Sequence, residues 1–268
     1  MEELRIVVAG AAGRMGRTVL RAISESGDCI LAGAIARSSS PEVGREASLL
    51  ASADPGLLVT DDAVVALRKA DAIVDFSTPQ SSIELAELAA SMRVPHIIGT
   101  TGFSPEQETQ IANASERTAI VKSGNMSLGI ALLSSLVKQA AAALQDFDIE
   151  ILDMHHGKKV DAPSGTSLLL GRSAAKGRNV ELNQISDLHG QRNAARGEGT
   201  IGFASLRGGT VVGEHQVIFA GPHERVVLSH IAEDRIIFAR GALAAARWSQ
   251  DKPAGLYDMQ NVLGAGIP

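Results

Sequence analysis

The chain has 268 residues and carries 25 Lys and Arg against 30 Asp and Glu, a net charge of −5. That length holds one or two domains, and the weak acidity gives no electrostatic reason to expect nucleic acid or an anionic membrane as partner. Hydrophobic residues at 45%, charged residues at 21% and aromatics at only 3% exclude a disordered chain and call for a core of Ala, Val, Ile and Leu, as where helices pack on a parallel sheet.

The opening Met1–Ile6 lacks the layout of a signal peptide and runs directly into an apolar stretch. Arg5–Ala9 reads as a buried strand and Arg14–Ser26 as a helix, with Met15, Val19, Ala22 and Ile23 at helical spacing. Ile30–Ala36 reads as a second strand. Just before it stands the single cysteine, Cys29. One cysteine leaves no internal disulfide and no Cys-based zinc site, and it points to a reducing, cytoplasmic setting. A loop rich in Ser, Pro and Gly then leads to a short helix over Asp62–Lys69. Strands at Ala72–Phe76, Pro95–Gly99 and Ala119–Lys122 alternate with helices at Ser81–Ser91 and Pro105–Ser115. This alternation predicts right-handed βαβ units and a parallel sheet. After Asn125 the pattern changes. A long helix over Ser127–Leu144 precedes Asp148–Asp153, where polar and apolar residues alternate. Thr200–Leu206, Val211–Phe219 and Val226–His230 read as strands of antiparallel character, Gly190–Gly199 as a polar, mobile loop, and Ile236–Ser249 as a final helix. No apolar run reaches the roughly 18 residues of a membrane span. The expected fold is α/β: an N-terminal Rossmann-type parallel-sheet domain over residues 1–126, with 239–268 packing back on it, and an α+β domain over 127–238 carrying an open mixed sheet.

Gly10-Ala11-Ala12-Gly13-Arg14-Met15-Gly16 lies between the first strand and the first helix. Glycines there permit a tight turn and let backbone N–H groups approach a pyrophosphate at the helix N-terminus. The bland alternative is a turn that merely packs helix against strand. An NAD-binding domain would carry an acid at the end of the second strand to hold the ribose 2′-hydroxyl. This chain has Ala36-Arg37-Ser38 instead. With no carboxylate to repel a 2′-phosphate and Arg37 to bind one, NADPH is the expected cofactor, with NADH still possible. The loops Phe76–Pro79, Gly99-Thr100-Thr101 and Ser123-Gly124-Asn125-Met126 follow later strands, where an open sheet binds its ligand. Each is equally readable as a helix cap.

The segment Glu150–Ser167 places His155, His156, Lys158, Lys159, Asp161, Ser164 and Thr166 within 18 residues. Histidine serves as acid or base near neutral pH, and lysine as a point charge for a carboxylate. Ser164-Gly165-Thr166 has the look of a helix start, hence of an anion site. Joint metal ligation by His155 and His156 is disfavoured because neighbours in a strand point to opposite faces. Ser164 lacks the surrounding elbow of a serine nucleophile. A solvated Lys158–Lys159 pair is the alternative to a functional one. The cluster suits an anionic substrate that must be protonated.

This segment resembles the signature of the 4-hydroxy-tetrahydrodipicolinate reductase family, E-I-x-E/D-x-H-H-x-x-K-x-D-A-P-S-G-T. Val8–Arg17, Val74–Pro79, Ile98–Phe103, Gly124–Gly129, Gly199–Ala204 and Gly213–His215 also resemble family segments, in family order. The resemblance implies NAD(P)H-dependent reduction of a cyclic dicarboxylate imine in the diaminopimelate route to lysine. It further implies a cytoplasmic homotetramer built through the second domain's sheet, and no metal. It places His155 as the general acid/base and Lys159 as the proton donor. His156, Gly165 and Thr166 fall at the substrate carboxylates, and Ser164, which reads as the cap of the same helix start, is counted with them as substrate-binding. Gly10, Ala11, Ala12, Gly13, Arg14, Met15, Gly99, Thr100, Thr101, Ser123, Gly124, Asn125 and Met126 fall at the dinucleotide, and Arg37 at its 2′-phosphate. Three positions depart from common family residues: Ala36 stands for an acid, Asp153 for glutamate and Thr78 for a basic residue. The rival readings are another two-domain Rossmann dehydrogenase of a small acid and a non-catalytic nucleotide sensor.

Overall fold

A computed structural model describes residues 3–50, 56–188 and 195–264. The loop expected over Gly190–Gly199 therefore lies partly outside the described residues, as do 265–268 of the final segment. The chain divides into two compact units, Met1–Ser127 with Arg235–Gly264, and Leu128–Asp234.

In the first unit the chain runs β1 (Leu4–Ala9), α1 (Arg14–Ser24), β2 (Cys29–Ile35), β3 (Val59–Thr60), α2 (Ala63–Leu67), β4 (Ala72–Asp75), α3 (Pro79–Met92), β5 (His96–Ile98), α4 (Pro105–Ser115) and β6 (Ala119–Lys122). The second unit supplies α5 (Leu128–Ala143), β7 (Asp148–His155), α6 (Gly165–Gly177), α7 (Leu182–Ile185), β8 (Ser186–Asp187), β9 (Ile201–Arg207), β10 (Gly213–Gly221) and β11 (Glu224–Ala232). The chain then returns to the first unit with α8 (Ile236–Ser249), β12 (Gly255–Tyr257) and α9 (Met259–Val262).

The first sheet has seven strands in the order β12-β6-β5-β4-β1-β2-β3, every pair parallel. Its central strands are buried on both faces, which is why they read as unbroken apolar runs rather than alternating ones. The order reverses between β1 and β4, so the carboxyl ends of these strands open a crevice. Helix α8 packs against α1, β4, β5 and β6 of this unit. Local chemistry sets the helix starts. Thr78 caps α3 ahead of Pro79, and Ser104 forms a reciprocal capping box with Gln107 at α4.

The second sheet has the order β11-β10-β7-β9-β8. It is mixed: β10 pairs antiparallel with β7 and β11, whereas β9 pairs parallel with β7 and β8. The expected run of antiparallel strands from residue 200 onward is therefore corrected. β7 lies between β9 and β10, so these two consecutive strands are not neighbours. Along β7 the inward row is Ile149, Ile151, Asp153 and His155. The first two join Val217, Phe219 and Ile201 in a core closed by α5 and α6. The last two continue the same row with polar groups, so the core passes into a polar site at the carboxyl end of β7. Replacing Phe219, fully buried in this core, with Ala should cost about 3–5 kcal/mol, read by chemical denaturation.

Candidate active site

At the crevice of the first sheet the backbone turns sharply at Gly10, whose φ is +75°. A Cβ there would also stand 2.6 Å from the Phe76 carbonyl oxygen. A Cβ on Gly16 would overlap the Gly10 carbonyl, and one on Gly99 would overlap the Phe76 ring. These glycines thus let α1 and the loops after β4 and β5 close around Phe76. Gly13 is the N-cap of α1 without a side-chain cap, and the first turn carries no acid, so the positive end of the helix faces the crevice. A cleft of about 790 Å³ is lined by Gly10, Ala12, Gly13, Arg37, Ser38 and Thr78 among others. Its volume and the glycine backbone at one end fit a dinucleotide. Arg37 is exposed at its edge. The cleft is not free of acids, contrary to what the end of β2 alone indicates: Glu42, Asp61 and Glu84 also line it. Glu42 is paired with Arg17 at 3.4 Å and Arg45 at 3.5 Å.

The remaining dinucleotide candidates distribute as follows. Ala11 is buried; Arg14 and Met15 head α1. The loops after β5 and β6 are adjacent: the Ser123 amide donates to the Ile98 carbonyl at 3.1 Å, and Gly124 approaches the Thr101 methyl. The Ser123 hydroxyl donates to the Asn125 carbonyl at 2.8 Å. Met126 is buried, and its carbonyl packs against Gly241 of α8. Thr100 is buried and donates to Asp75 at 3.4 Å. Asp75 also accepts from the Ser77 amide at 2.8 Å and lies 3.2 Å from His96 Nε2. Burial pushes this carboxyl up, but His96 and Ser77 override it and hold it below its usual value. Asp75 therefore ties the loops after β4 and β5 together.

In the second unit the polar end of β7 gathers a second group. Asp153 is 0% exposed. It accepts from Arg207 at 2.7 Å, from the Ser164 amide at 2.8 Å and from the Ser167 hydroxyl at 2.9 Å. Burial alone would raise its pKa; Arg207, Ser164 and Ser167 outweigh burial and hold the carboxyl far below the usual carboxylate range. Arg207 also donates to the Asp161 carbonyl at 2.7 Å. It stands directly opposite His155 in the parallel register of β7 and β9. His155 Nδ1 is 3.8 Å from Asp153, too far for a hydrogen bond. Across the sheet a Cβ on Gly213 would stand 3.1 Å from His155 Nε2, so glycine keeps that side of the ring open. Lys159 Nζ contacts both oxygens of Asp161 at 2.8 Å. Ser164 caps α6, and Gly165 and Thr166 form its first turn. His156 lies just past the strand, half-buried, its amide donating to the Val211 carbonyl at 2.8 Å.

Two members of this group are not singled out by the sequence pattern. Arg207 lies one residue beyond the strand expected at Thr200–Leu206; extending the alternation of that strand by one step puts it on the inner face. His215, read only as part of a resembling segment, is 4% exposed. Its Nε2 lies 3.1 Å from the Ser164 hydroxyl, and its ring meets His155 edge-on with centroids 5.1 Å apart. Asp153, His155 and His215 offer atoms within 4.8 Å of one another, the spacing of a cation site. Arg207 already answers the Asp153 charge, so this donor set does not suit a metal ion.

Both halves of the chain match models of one family. Residues 4–126 match the model described as dihydrodipicolinate reductase, N-terminus, and residues 129–263 the one described as dihydrodipicolinate reductase, C-terminus. The chain belongs to the dihydrodipicolinate reductase family. It is 55% identical over 267 residues to the 4-hydroxy-tetrahydrodipicolinate reductase of Parvibaculum lavamentivorans, covering 98% of each chain. It is 54% identical over 266 residues to the enzyme of that name from Bartonella tribocorum, covering 97% of this chain and 98% of the relative. Its fold is like that of a dipicolinate-bound dihydrodipicolinate reductase from Paenisporosarcina sp. TG-14, with a TM-score of 0.77 at 23% identity, covering 97% of this chain and 99% of that one. Within this dihydrodipicolinate reductase chain, the signature Glu150–Ser167 thus spans β7 and the first turn of α6.

The site titrates in a defined direction. Burial lowers the pKa of His155, although Asp153 opposes it; Lys159 and Arg207 add to the lowering. Burial lowers His230 as well, and burial with His155 pushes His215 down to about 4. The unfolded chain protonates these histidines near pH 6.5, while the folded unit does not. The unfolded state therefore binds more protons between about pH 6.5 and 4, and stability falls as pH drops through that window. Asp153 adds stability present above about pH 3.9 and lost as pH falls towards its depressed value. Denaturant titrations at about pH 7.5 and about pH 5 should show the fall, and His215→Gln should lessen it.

Proposed function

We propose that this chain reduces 4-hydroxy-tetrahydrodipicolinate to tetrahydrodipicolinate in the diaminopimelate route to lysine, with NADPH as preferred cofactor and NADH as a slower substitute. The observation that carries the reading is the set of His155, Lys159, Arg207 and the α6 N-terminus at one end of β7, within a chain whose relatives bear that enzyme's name.

The first unit would hold the dinucleotide through Gly10–Met15 at the α1 N-terminus, with Gly99–Thr101 and Ser123–Met126 offering backbone and hydroxyl groups. Arg37, exposed at the cleft edge, would take the 2′-phosphate. When bound, the reduced nicotinamide supplies the hydride. Everything else falls to the protein. The first turn of α6, with Gly165 and Thr166, directs amides and the positive end of the helix at a carboxylate. His156 and the Arg207 guanidinium add positive or donating groups for the dianion. Loss of the 4-hydroxyl as water leaves the conjugated imine that takes the hydride; as charge then develops over the imine–enamine system, Lys159 Nζ stabilises it and delivers the proton. His155, neutral near pH 7, acts as the acid/base partner. The alternatives, another small-acid dehydrogenase or a silent sensor, explain neither the complete signature nor the intact His155 and Lys159.

We also infer a cytoplasmic homotetramer. No helix among the described residues is long and apolar enough to cross a membrane. The outer face of the second sheet presents Leu152, Met154, Leu206, Ile218, Val227 and Ile231, of which Leu206, Val227 and Ile231 are exposed. An apolar face of this kind suits burial against another copy.

Four measurements check these readings. NADPH and NADH oxidation should be followed side by side, with substrate made in situ from pyruvate and aspartate semialdehyde by a synthase; absence of substrate-dependent oxidation overturns the reductase reading. His155→Ala and Lys159→Ala should each lower kcat by about 100-fold or more and leave dinucleotide affinity intact. Arg37→Ala should weaken NADPH by about tenfold while sparing NADH, and an equal loss for both would remove Arg37 from phosphate recognition. Light scattering on Leu206→Glu should show a smaller assembly than the unmodified chain.

A further inference from the structure

Ser164 sits at the head of the substrate-binding helix, yet it is 1% exposed. Its hydroxyl has three neighbours: His215 Nε2 at 3.1 Å, Ser167 Oγ at 2.9 Å and the Ser167 amide at 3.1 Å. The direction of each bond follows from Asp153. This carboxylate accepts from a guanidinium, an amide and a hydroxyl, an arrangement that only the ionised form satisfies. Ser167 therefore donates its one hydroxyl proton to Asp153. Its oxygen can then only accept from Ser164, so Ser164 donates to Ser167. With its proton used, Ser164 Oγ accepts on both lone pairs, one from the Ser167 amide and one from His215 Nε2. The chain of donors runs His215 to Ser164 to Ser167 to Asp153 in one direction.

From this geometry we propose that His215 is a positioning residue for the reductase reaction. It is held as the neutral Nε2–H tautomer, and it locks the Ser164 hydroxyl away from the substrate, so that the first turn of α6 presents Gly165 and Thr166 to a carboxylate. The inference rests on the proposed function for its substrate, and it gives the Ser164 side chain the part of a cap that orients the anion site. The surroundings of His215 fit the tautomer. Asp153 and His155 face it from β7, Lys159 from the following loop and His230 from β11. Its Nδ1 is buried without a hydrogen-bond partner, the state of a bare lone pair rather than a stranded N–H. A second proton would have to sit on Nδ1, where no acceptor is in reach, and would add a positive charge near Lys159.

The test begins on the unmodified enzyme with 15N NMR of the histidine rings between about pH 6 and about pH 8. The expected result is a His215 with Nε2 protonated and Nδ1 bare throughout. A protonated Nδ1 with bare Nε2 overturns the proposal whatever the enzyme's substrate. His215→Leu should then raise KM, and the Kd of pyridine-2,6-dicarboxylate, by about tenfold, the loss of one buried hydrogen bond. Its kcat and dinucleotide Kd should stay near those of the unmodified enzyme. His215→Gln, which keeps a donor near the Nε2 position, should recover most of the loss. Ser164→Ala should reproduce the KM effect, and adding His215→Leu to it should change little further, because both act through one bond. A fall in kcat at unchanged KM, or failure of Gln to rescue a folded protein, overturns the positioning role. An enzyme without substrate-dependent turnover instead overturns the proposed function, and leaves the tautomer result standing.

Discussion

The ionised carboxylate of Asp153 organises the second unit's site. It is sealed from water and held by Arg207 from β9 and by Ser164 and Ser167 from α6. A buried charge is tolerated only when its oxygens are fully engaged. That requirement pins the N-terminus of α6 against the end of β7 and brings Arg207 beside His155. A carboxyl group thus fixes the places of the cations and amides around it. Asp75 acts similarly in the first unit, where it joins the loops that follow β4 and β5 through Ser77 and Thr100.

Much of this fold is legible in the order of the amino acids. Strands such as Ala72–Asp75 and Ala119–Lys122 are short, apolar on both faces and bounded by helix caps, so composition alone marks them. The glycines at 10, 13 and 16 are explained by close approach, which a sequence pattern between strand and helix can announce. The long signature at 150–167 marks its site through sheer density of chemical groups. The parts that escape such reading depend on non-local pairing. Nothing between residues 200 and 220 reveals that β7 inserts between β9 and β10, and only that insertion puts Arg207 opposite His155. β3 and β12 are two and three residues long, too short for any period to emerge. The acids lining the cleft of the first unit come from Glu42, Asp61 and Glu84, remote in sequence from the strand end where a nucleotide fingerprint looks for them.

The two sites obey different logic. In the first unit the cleft is shaped by what is missing: side chains absent at Gly10, Gly16 and Gly99 let backbone and Phe76 close up, and the helix end there has no side-chain cap. In the second unit side chains are abundant, and Asp153, Ser164, Ser167, Arg207 and His215 engage one another. Rigid, mutually satisfied polar networks hold their members in place before a ligand arrives, which limits the reorganisation left for the reaction itself.

The first unit is built from both ends of the chain, with α8, β12 and α9 completing a body begun by β1. The second is one uninterrupted stretch. On the ribosome this imposes an order. The inserted unit can close its core of Val217, Phe219 and Ile149 as soon as β11 emerges, while the earlier-made parallel sheet waits with one face of β4, β5 and β6 uncovered until α8 arrives. The N-terminal half is thus synthesised first and finished last, which makes its bare sheet the surface most in need of protection during synthesis.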